Sequence, residues 1–212
     1  MYNAQICQDV FVDKVLNKTN GFFVDIGAGT GGLPADTPGF YSNTYYFETF
    51  KDWKGIAIDH DINWWSRVSP LRSADCICVD LVEKNINEVL DKSNCPTEID
   101  YLSIDVDDAQ MKVFNDFDFD KYKFKVLTLE HNLFQSEADC GQNITVKRKE
   151  QIVKEHGHYR EVLFKHGYRL LWDNVHLDDY GPVEDWFVDE ETFEKNKHLQ
   201  KISANCLETM NI

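Results

Sequence analysis

The chain predicts an α/β fold: a mostly parallel, seven-stranded sheet with helices on both faces, closed by an antiparallel hairpin at its C-terminal end. Three observations carry this. Five short apolar runs alternate with helix-period segments through residues 22–131, and parallel neighbours need just such crossover connections. Each run ends in or beside an acidic residue, at the strand ends where open parallel sheets bind ligands. The last third changes character: two strand-like runs are joined by a loop containing Gly181-Pro182, with no helical pattern between them.

Taken in order, Phe11, Val15 and Leu16 give an opening helix its apolar stripe, which Asn20-Gly21 ends before a first strand at 22–26. Residues 42–53 read as the next helix, with Ser42 or Asn43 as its cap and Tyr45, Tyr46 and Phe50 as its bulky faces. A strand at 55–59, "GIAID", precedes a helix around 61–68. The strand "CICVD" at 76–80 leads into a short helix at 83–91, where Ile86, Val89 and Leu90 recur at helical spacing. "DYLSID" at 100–105 is followed by a helix at 108–115, and "FKVLTLEH" at 124–131 completes the parallel series. A long amphipathic helix spans 147–166 and stops at Gly167. "YRLLWDNV" and "EDWFVDE" then form the hairpin.

A length of 212 residues suits one domain, 1–212, with no linker or repeat to divide it. The net charge of −15 repels a phosphate backbone and argues against nucleic acid as a partner; Lys147-Arg148-Lys149 reads as a solvated helix face. The opening "MYNAQICQDVFVDKVL" lacks the pattern of a signal peptide and no stretch approaches membrane-spanning length, so a soluble, cytoplasmic protein is expected. Six cysteines without metal-site spacing read as reduced, partly buried thiols.

The most informative segment is Phe22-Phe23-Val24-Asp25-Ile26-Gly27-Ala28-Gly29-Thr30-Gly31-Gly32, an apolar strand that breaks into glycines with a carboxylate just before the break. Gly27, Gly29 and Gly32 satisfy the pattern of dinucleotide-binding turns. That design requires a helix directly behind the glycines, yet Pro34, Pro38 and Gly39 interrupt the chain there. Asp59, the acid ending the second strand, also lies beyond the spacing of about 20 residues of the dinucleotide fingerprint. S-adenosylmethionine, with its ammonium and sulfonium and no phosphate, suits Asp25, Gly27, Ala28 and Gly29 better than NAD(P) does. An NAD(P)-dependent oxidoreductase remains the alternative enzyme class, and a catalytically silent methyltransferase-like binding module the non-enzymatic one.

Roles follow from strand order. Asp59 is expected at the ribose hydroxyls, since a carboxylate accepts two hydrogen bonds from a vicinal diol, and Asp80 at the adenine amino group. Asp105 is placed for the methionine ammonium, an incoming hydroxyl or a divalent cation. Glu130-His131-Asn132, at the end of the fifth strand, supplies the remaining chemistry. Methyl transfer to an alcohol needs the oxygen deprotonated by a base such as His131, or polarised by a hard cation such as Mg2+ held by carboxylates and amide oxygens. His176 is a weaker candidate base. For Asp107 and Asp108, capping of the following helix is the expected role.

Five parallel-type strands and a terminal hairpin describe the Rossmann-like sheet of class I methyltransferases. "GFFVDIGAGTG", "SNTYYFE…WKGIAID", "IDYLSIDVDDAQ", "VLTLEHN" and "HGYRLL…EDWFV" together resemble the FkbM family of S-adenosylmethionine-dependent methyltransferases, from about Gln8 to Val188, and "AQICQDVFV" is similar to the start that precedes the first strand there. The resemblance implies methyl transfer to a hydroxyl oxygen of a small molecule, sugars and other glycosides included. It places Asp25, Gly27 and Gly29 in the cofactor turn, Asn43 of the "SNT" motif near the methionine end, and Asp105 at the close of the fourth strand. Asp59-His60 stands where the family commonly has Glu-Pro, and His131 where metal-dependent relatives carry Asp or Asn. Acceptor contacts are expected from loops 132–147 and 174–184.

Overall fold

Apolar residues on both sides of Phe22–Ile26 place this strand, β1, in the middle of a sheet rather than at its edge. The fold is a computed structural model that describes residues 2–29, 39–136, 144–176 and 181–212. β1 pairs in parallel with β2 (Lys54–Asp59) on one side and β4 (Glu98–Ile104) on the other. Outside these lie β3 (Asp75–Cys78) and β5 (Lys123–Glu130), also parallel. β6 (Arg169–Val175) and β7 (Glu184–Val188) form the hairpin, with β7 antiparallel to β5. A two-residue strand, β8 (Lys201–Ile202), adds to the β6 edge, giving the order β3-β2-β1-β4-β5-β7-β6-β8. The expected seven strands are therefore present, with an eighth that two residues could not signal in the sequence.

Strand residues two apart share a face, and this alternation divides the core. Val24, Leu102, Ile104, Leu127 and Phe187 face α4 (Ile86–Lys92), α5 (Gln110–Asp116) and α6 (Val146–Lys165), whose Leu90, Phe114, Tyr159 and Leu163 close that layer. Phe23, Tyr101, Val126 and Trp186 face the other way, under α1 (Gln8–Leu16), α2 (Tyr45–Phe50) and α7 (Glu190–Asn196). Phe11 of α1 packs against both Trp172 and Trp186, which stack on each other at 5.3 Å. Full burial of such a side chain contributes about 1.5–3 kcal/mol. Trp64 and Val68 of α3 (Ile62–Val68) cover Ala28 and Ala57.

Several ends differ from expectation. α1 stops at Leu16, ahead of Asn20-Gly21, because Asn17 turns left-handed (φ 42°) and returns its N–H to Asp13. α2 is shorter than 42–53: Thr44 precedes it, while the Ser42 hydroxyl accepts the Thr44 and Tyr45 amides in a turn of its own. β3 ends at Cys78, leaving Asp80 in the following turn with its Oδ1 on the Val82 amide. α5 starts only at Gln110, after a tight turn at Asp107–Ala109 entered through left-handed Asp107 (φ 46°). α6 begins where Thr145 caps it through the Arg148 amide, and Gly167 (φ 86°) follows it. No described helix is long and apolar enough to cross a membrane.

Candidate active site

The carboxyl ends of β1–β5 open into a cleft of about 1030 Å³. Its floor is the turn after β1. The Gly27 and Ala28 amides both donate to Ile58 O of β2, at 2.9 and 3.0 Å, which folds the turn over the neighbouring strand. Gly27 sits at φ 89°, and a Cβ there would lie 1.6 Å from Asp105 O, so the turn and the end of β4 touch through bare backbone. Gly29 donates to Asp59 Oδ2 at 2.8 Å, and a Cβ on it would meet that same oxygen at 2.6 Å. Thr30, Gly31, Gly32, Pro34 and Pro38, on which the proline-broken loop rests, lie outside the described residues.

Of the residues singled out by sequence, Asp25, Gly27, Ala28, Gly29, Asn43, Asp59, Asp80, Asp105 and Glu130 all line this cleft. Their situations differ. Asp59 is fixed in orientation, since its two oxygens accept the Gly29 and Asp61 amides, and each keeps a second lone pair for a ligand. The carboxyl of Asp25 is buried and accepts the Thr44 hydroxyl at 2.7 Å. Burial raises its pKa to about 6, against the opposing pull of Thr44 and Arg72. Asn43 donates to the Ser103 hydroxyl at 2.9 Å, tying the "SNT" segment to β4.

Sequence reasoning did not find what supports this floor. Arg72 Nη2 donates to the Thr44 hydroxyl at 2.9 Å, and its Nε to Glu48 Oε1 at 2.5 Å, with both ionic side chains removed from solvent. The chain Asp25, Thr44, Arg72, Glu48 thus runs on from the strand that carries the glycine turn. Asp25, Thr44 and Glu48 lay in quoted motifs, but nothing in "SPLRSAD" marks Arg72. Gln110 is the second omission. Its side-chain amide accepts the Val106 N–H and donates to Glu130 O at 3.0 Å, joining the ends of β4 and β5.

That junction sets the Asp105 and Glu130 carboxyls close enough for each to act on the other's titration. Glu130 Oε2 is buried and meets no N–H or O–H donor among the described residues. Two like charges at such a place disfavour ionisation of both carboxyls. Burial pushes the Glu130 carboxyl far up, and the Asp105 charge adds to it; burial likewise raises Asp105, with Asp107 and Asp59 contributing.

His131 is separated from them. Next along the chain from Glu130, it points to the opposite face, where its side chain is fully buried against His156 and Asp185. Its Nδ1 accepts the Leu133 amide at 3.0 Å, so the proton of the neutral ring sits on Nε2, 3.6 Å from Asp185 Oδ1. Burial lowers its pKa despite Asp185. His131 is not among the residues that line the cleft, since strand alternation sends it to the α6 side. His176 is not among the lining residues either and pairs instead with Asn205 in an isolated bridge.

His131, His156 and Asp185 are the one group of three potential metal-ligating side chains gathered among the described residues. The donor set does not fit an ion. Asp185 already accepts Arg160 Nε and Nη2, His156 Nε2 and the Asn174 amide, which occupy its four lone-pair positions, and His131 presents a proton rather than a lone pair. Burial alone would raise Asp185; His131, His156 and Arg160 hold it well below the usual range. The cluster is an ion-pair hub pinning α6 to the hairpin. Among the described residues, Asp105 and Glu130 fall in no group of three His, Cys, Asp or Glu side chains.

The charged residues lining the cleft are Asp25, Asp59, Asp61, Asp80, Asp105, Asp107 and Glu130; no Lys or Arg lines it among the described residues. A pyrophosphate would meet only like charge, whereas a sulfonium and an ammonium would meet opposite charge.

Residues 51–170 match the family model described as the methyltransferase FkbM domain. Among solved structures, the chain is similar to a TehB-like SAM-dependent methyltransferase from Corynebacterium glutamicum, with 11% identity, 88% of this chain and 89% of that chain covered, and a TM-score of 0.46. None of the curated proteins matches the chain.

Proposed function

This chain belongs to the FkbM methyltransferase family, and from that premise we propose that it transfers a methyl group from S-adenosylmethionine to a hydroxyl oxygen of a small molecule, with sugars and glycosides as the first acceptors to test. The observation that carries the reading is the Asp105–Glu130 pair, recessed beside the cofactor turn in a cleft whose described lining has no positive side chain. The cofactor supplies an electrophilic methyl on a sulfonium. Gly27, Ala28 and Gly29 form the floor against which it lies, and Asp59 accepts the ribose hydroxyls in the orientation its two backbone contacts set. Asp80 takes the adenine amino group and Asn43 borders the methionine end. Asp25 acts from beneath, through Thr44, rather than by reaching the ligand.

Singly protonated, the carboxyl pair retains one site for another proton. Asp105 takes the hydroxyl proton as the oxygen bonds the methyl carbon, and protonated Glu130 keeps the pair from carrying two charges in a buried place. His131 holds the end of β5 from the far face and does not meet the acceptor.

Titration calorimetry with S-adenosylhomocysteine tests the first half: binding is expected, and tight binding of a nicotinamide dinucleotide in its place would sink it. Methyl transfer from labelled S-adenosylmethionine to a glycoside panel tests the second. Asp105→Asn is expected to reduce turnover about 10²–10⁴-fold, the usual contribution of a positioned base. Unchanged turnover in that variant would remove Asp105 from the chemistry.

A further inference from the structure

Two sequence motifs meet just behind the cleft. Gln8, from "AQICQDVFV", and Glu184, from "EDWFV", are 176 residues apart, yet the Gln8 side-chain amide donates to Glu184 Oε1 at 2.7 Å. The other carboxyl oxygen, Oε2, accepts the Trp186 indole N–H at 2.6 Å. Glu184 is 4% exposed and is not among the residues that line the cleft, so it acts only through its neighbours.

Both donors are fixed in that role. Gln8 Oε1 accepts the Ile6 N–H at 3.1 Å, which turns the NH2 end of the amide to Glu184. An indole N–H only donates, and the Trp186 ring is held by stacking on Trp172 and packing against Phe11. A carboxyl that accepts neutral donors on both oxygens matches the ionised form, since a protonated one must aim an O–H of its own at an acceptor.

Strand register supplies the neighbour. Glu184 is the direct cross-strand partner of Glu130, and Leu129 pairs with Ile104, so Asp105, Glu130 and Glu184 stand in a row across the ends of β4, β5 and β7. Glu184 shares the face of Trp186, under α1, and cross-strand partners share a face, so the Cβ atoms of Glu130 and Glu184 lie about 4.5–5.5 Å apart. Like charges directly opposite one another destabilise a sheet. Glu184 has two donors, whereas Glu130 Oε2 is buried without one among the described residues. The charge therefore settles on Glu184 and the proton on Glu130.

We propose that Glu184 is a positioning residue for the methyl transfer: held as a carboxylate by Gln8 and Trp186, it keeps the proton on Glu130 across the strand and leaves Asp105 as the base of the row. The charge assignment concerns the ligand-free protein; only its use in catalysis rests on the methyl-transfer reading. Burial pushes Glu184 up to about 8, with its two donors opposing, and pushes Glu130, which the Asp105 charge raises further, up to about 10. As pH rises Glu184 ionises first, and its charge then delays loss of the Glu130 proton. Asp105 and Asp107, from the end of β4, act on Glu130 in the same direction. On β7, Asp185 faces the opposite side; on α1, Asp9 is committed to the Asn3, Ala4 and Val10 amides.

Carbon-13 NMR of the ligand-free protein, labelled at the glutamate carboxyl carbon, reads these titrations without any acceptor; Glu130→Gln and Glu184→Gln assign the two signals. In the parent, Glu184 should titrate before Glu130. In Glu184→Gln the Glu130 midpoint should fall by about one unit, the effect of removing a close like charge. Trp186→Phe keeps a ring in the stack but removes the indole N–H, and should raise the Glu184 midpoint. An unmoved Glu130 midpoint in Glu184→Gln, or Glu130 titrating first in the parent, would overturn the proposal; if Glu184→Gln does not fold, an unmoved Glu184 midpoint in Trp186→Phe overturns it instead. With any accepted substrate, the alkaline limb of the methyl-transfer pH profile should move down with the Glu130 midpoint. A limb that stays put while the midpoint moves would make Glu184 structural and overturn its role. Failure of the parent to bind S-adenosylhomocysteine would instead strike the methyl-transfer reading, and leaves the NMR result to decide the charge assignment.

Discussion

Gly27→Ala is the sharpest test of the cofactor turn, because the structure fixes what the added methyl would meet. Its Cβ would lie 1.6 Å from Asp105 O, whereas ordinary contact begins at 3.4 Å, so the turn and the end of β4 must separate by about 1.8 Å. That separation breaks the 2.9 Å bond from the Asp105 amide to Ile26 O, worth about 1 kcal/mol net. Holding alanine at φ 89° costs about 1–2 kcal/mol more. The sum, about 2–3 kcal/mol, corresponds to a fall in Tm of about 4–12 °C for a chain of this size. Denaturant unfolding and a thermal scan measure it, and calorimetry with S-adenosylhomocysteine should show binding weakened with it. A variant as stable as the parent within about 0.5 kcal/mol, binding the ligand equally well, would refute the close backbone approach as the reason for glycine here.

Gly157 lies mid-way along α6, and an alanine Cβ there would find nothing within 4 Å, so Gly157→Ala should stabilise the protein by about 0.5–1 kcal/mol in urea unfolding. Arg72→Met takes the charged partner from buried Glu48, which keeps only the Ser73 hydroxyl and the Ala74 amide, and should cost about 3–5 kcal/mol; a loss below about 1 kcal/mol would show that those two donors suffice to hold the carboxylate. Asp25→Asn tests the buried carboxyl. Its folded pKa of about 6 exceeds the unfolded 3.8, so the wild type loses stability as pH rises from about 4 through 6, by up to about 3 kcal/mol. Asn lacks this loss, and the stability difference between variant and parent should move in favour of the variant over that window. A difference that is flat from about pH 4 to about 7.5 would show that Asp25 titrates normally.

Much of the site was legible before the structure, for a physical reason. In a parallel sheet every strand points the same way, so acids at successive strand ends must gather at one edge, and Asp25, Asp59, Asp105 and Glu130 do line one cleft. His131 stands apart from that row of acids. Strand periodicity is two, and a single step past Glu130 crosses the sheet to Asp185 and α6. The supports were invisible. Arg72 reaches Thr44 and Glu48, 28 and 24 residues away, with no local pattern to announce it.

The sequence by itself determined the alternating architecture, the hairpin ending, the family and the row of acids, because hydrophobic period, glycine placement and strand-end chemistry are local properties of the chain. Only the tertiary structure decided how each of these acids is held. Packing buries Asp25, commits Asp59 to two backbone amides, and sets Asp105 and Glu130 close enough that each adds to the negative charge around the other. Those outcomes depend on desolvation and on partners distant in sequence, which no local pattern encodes.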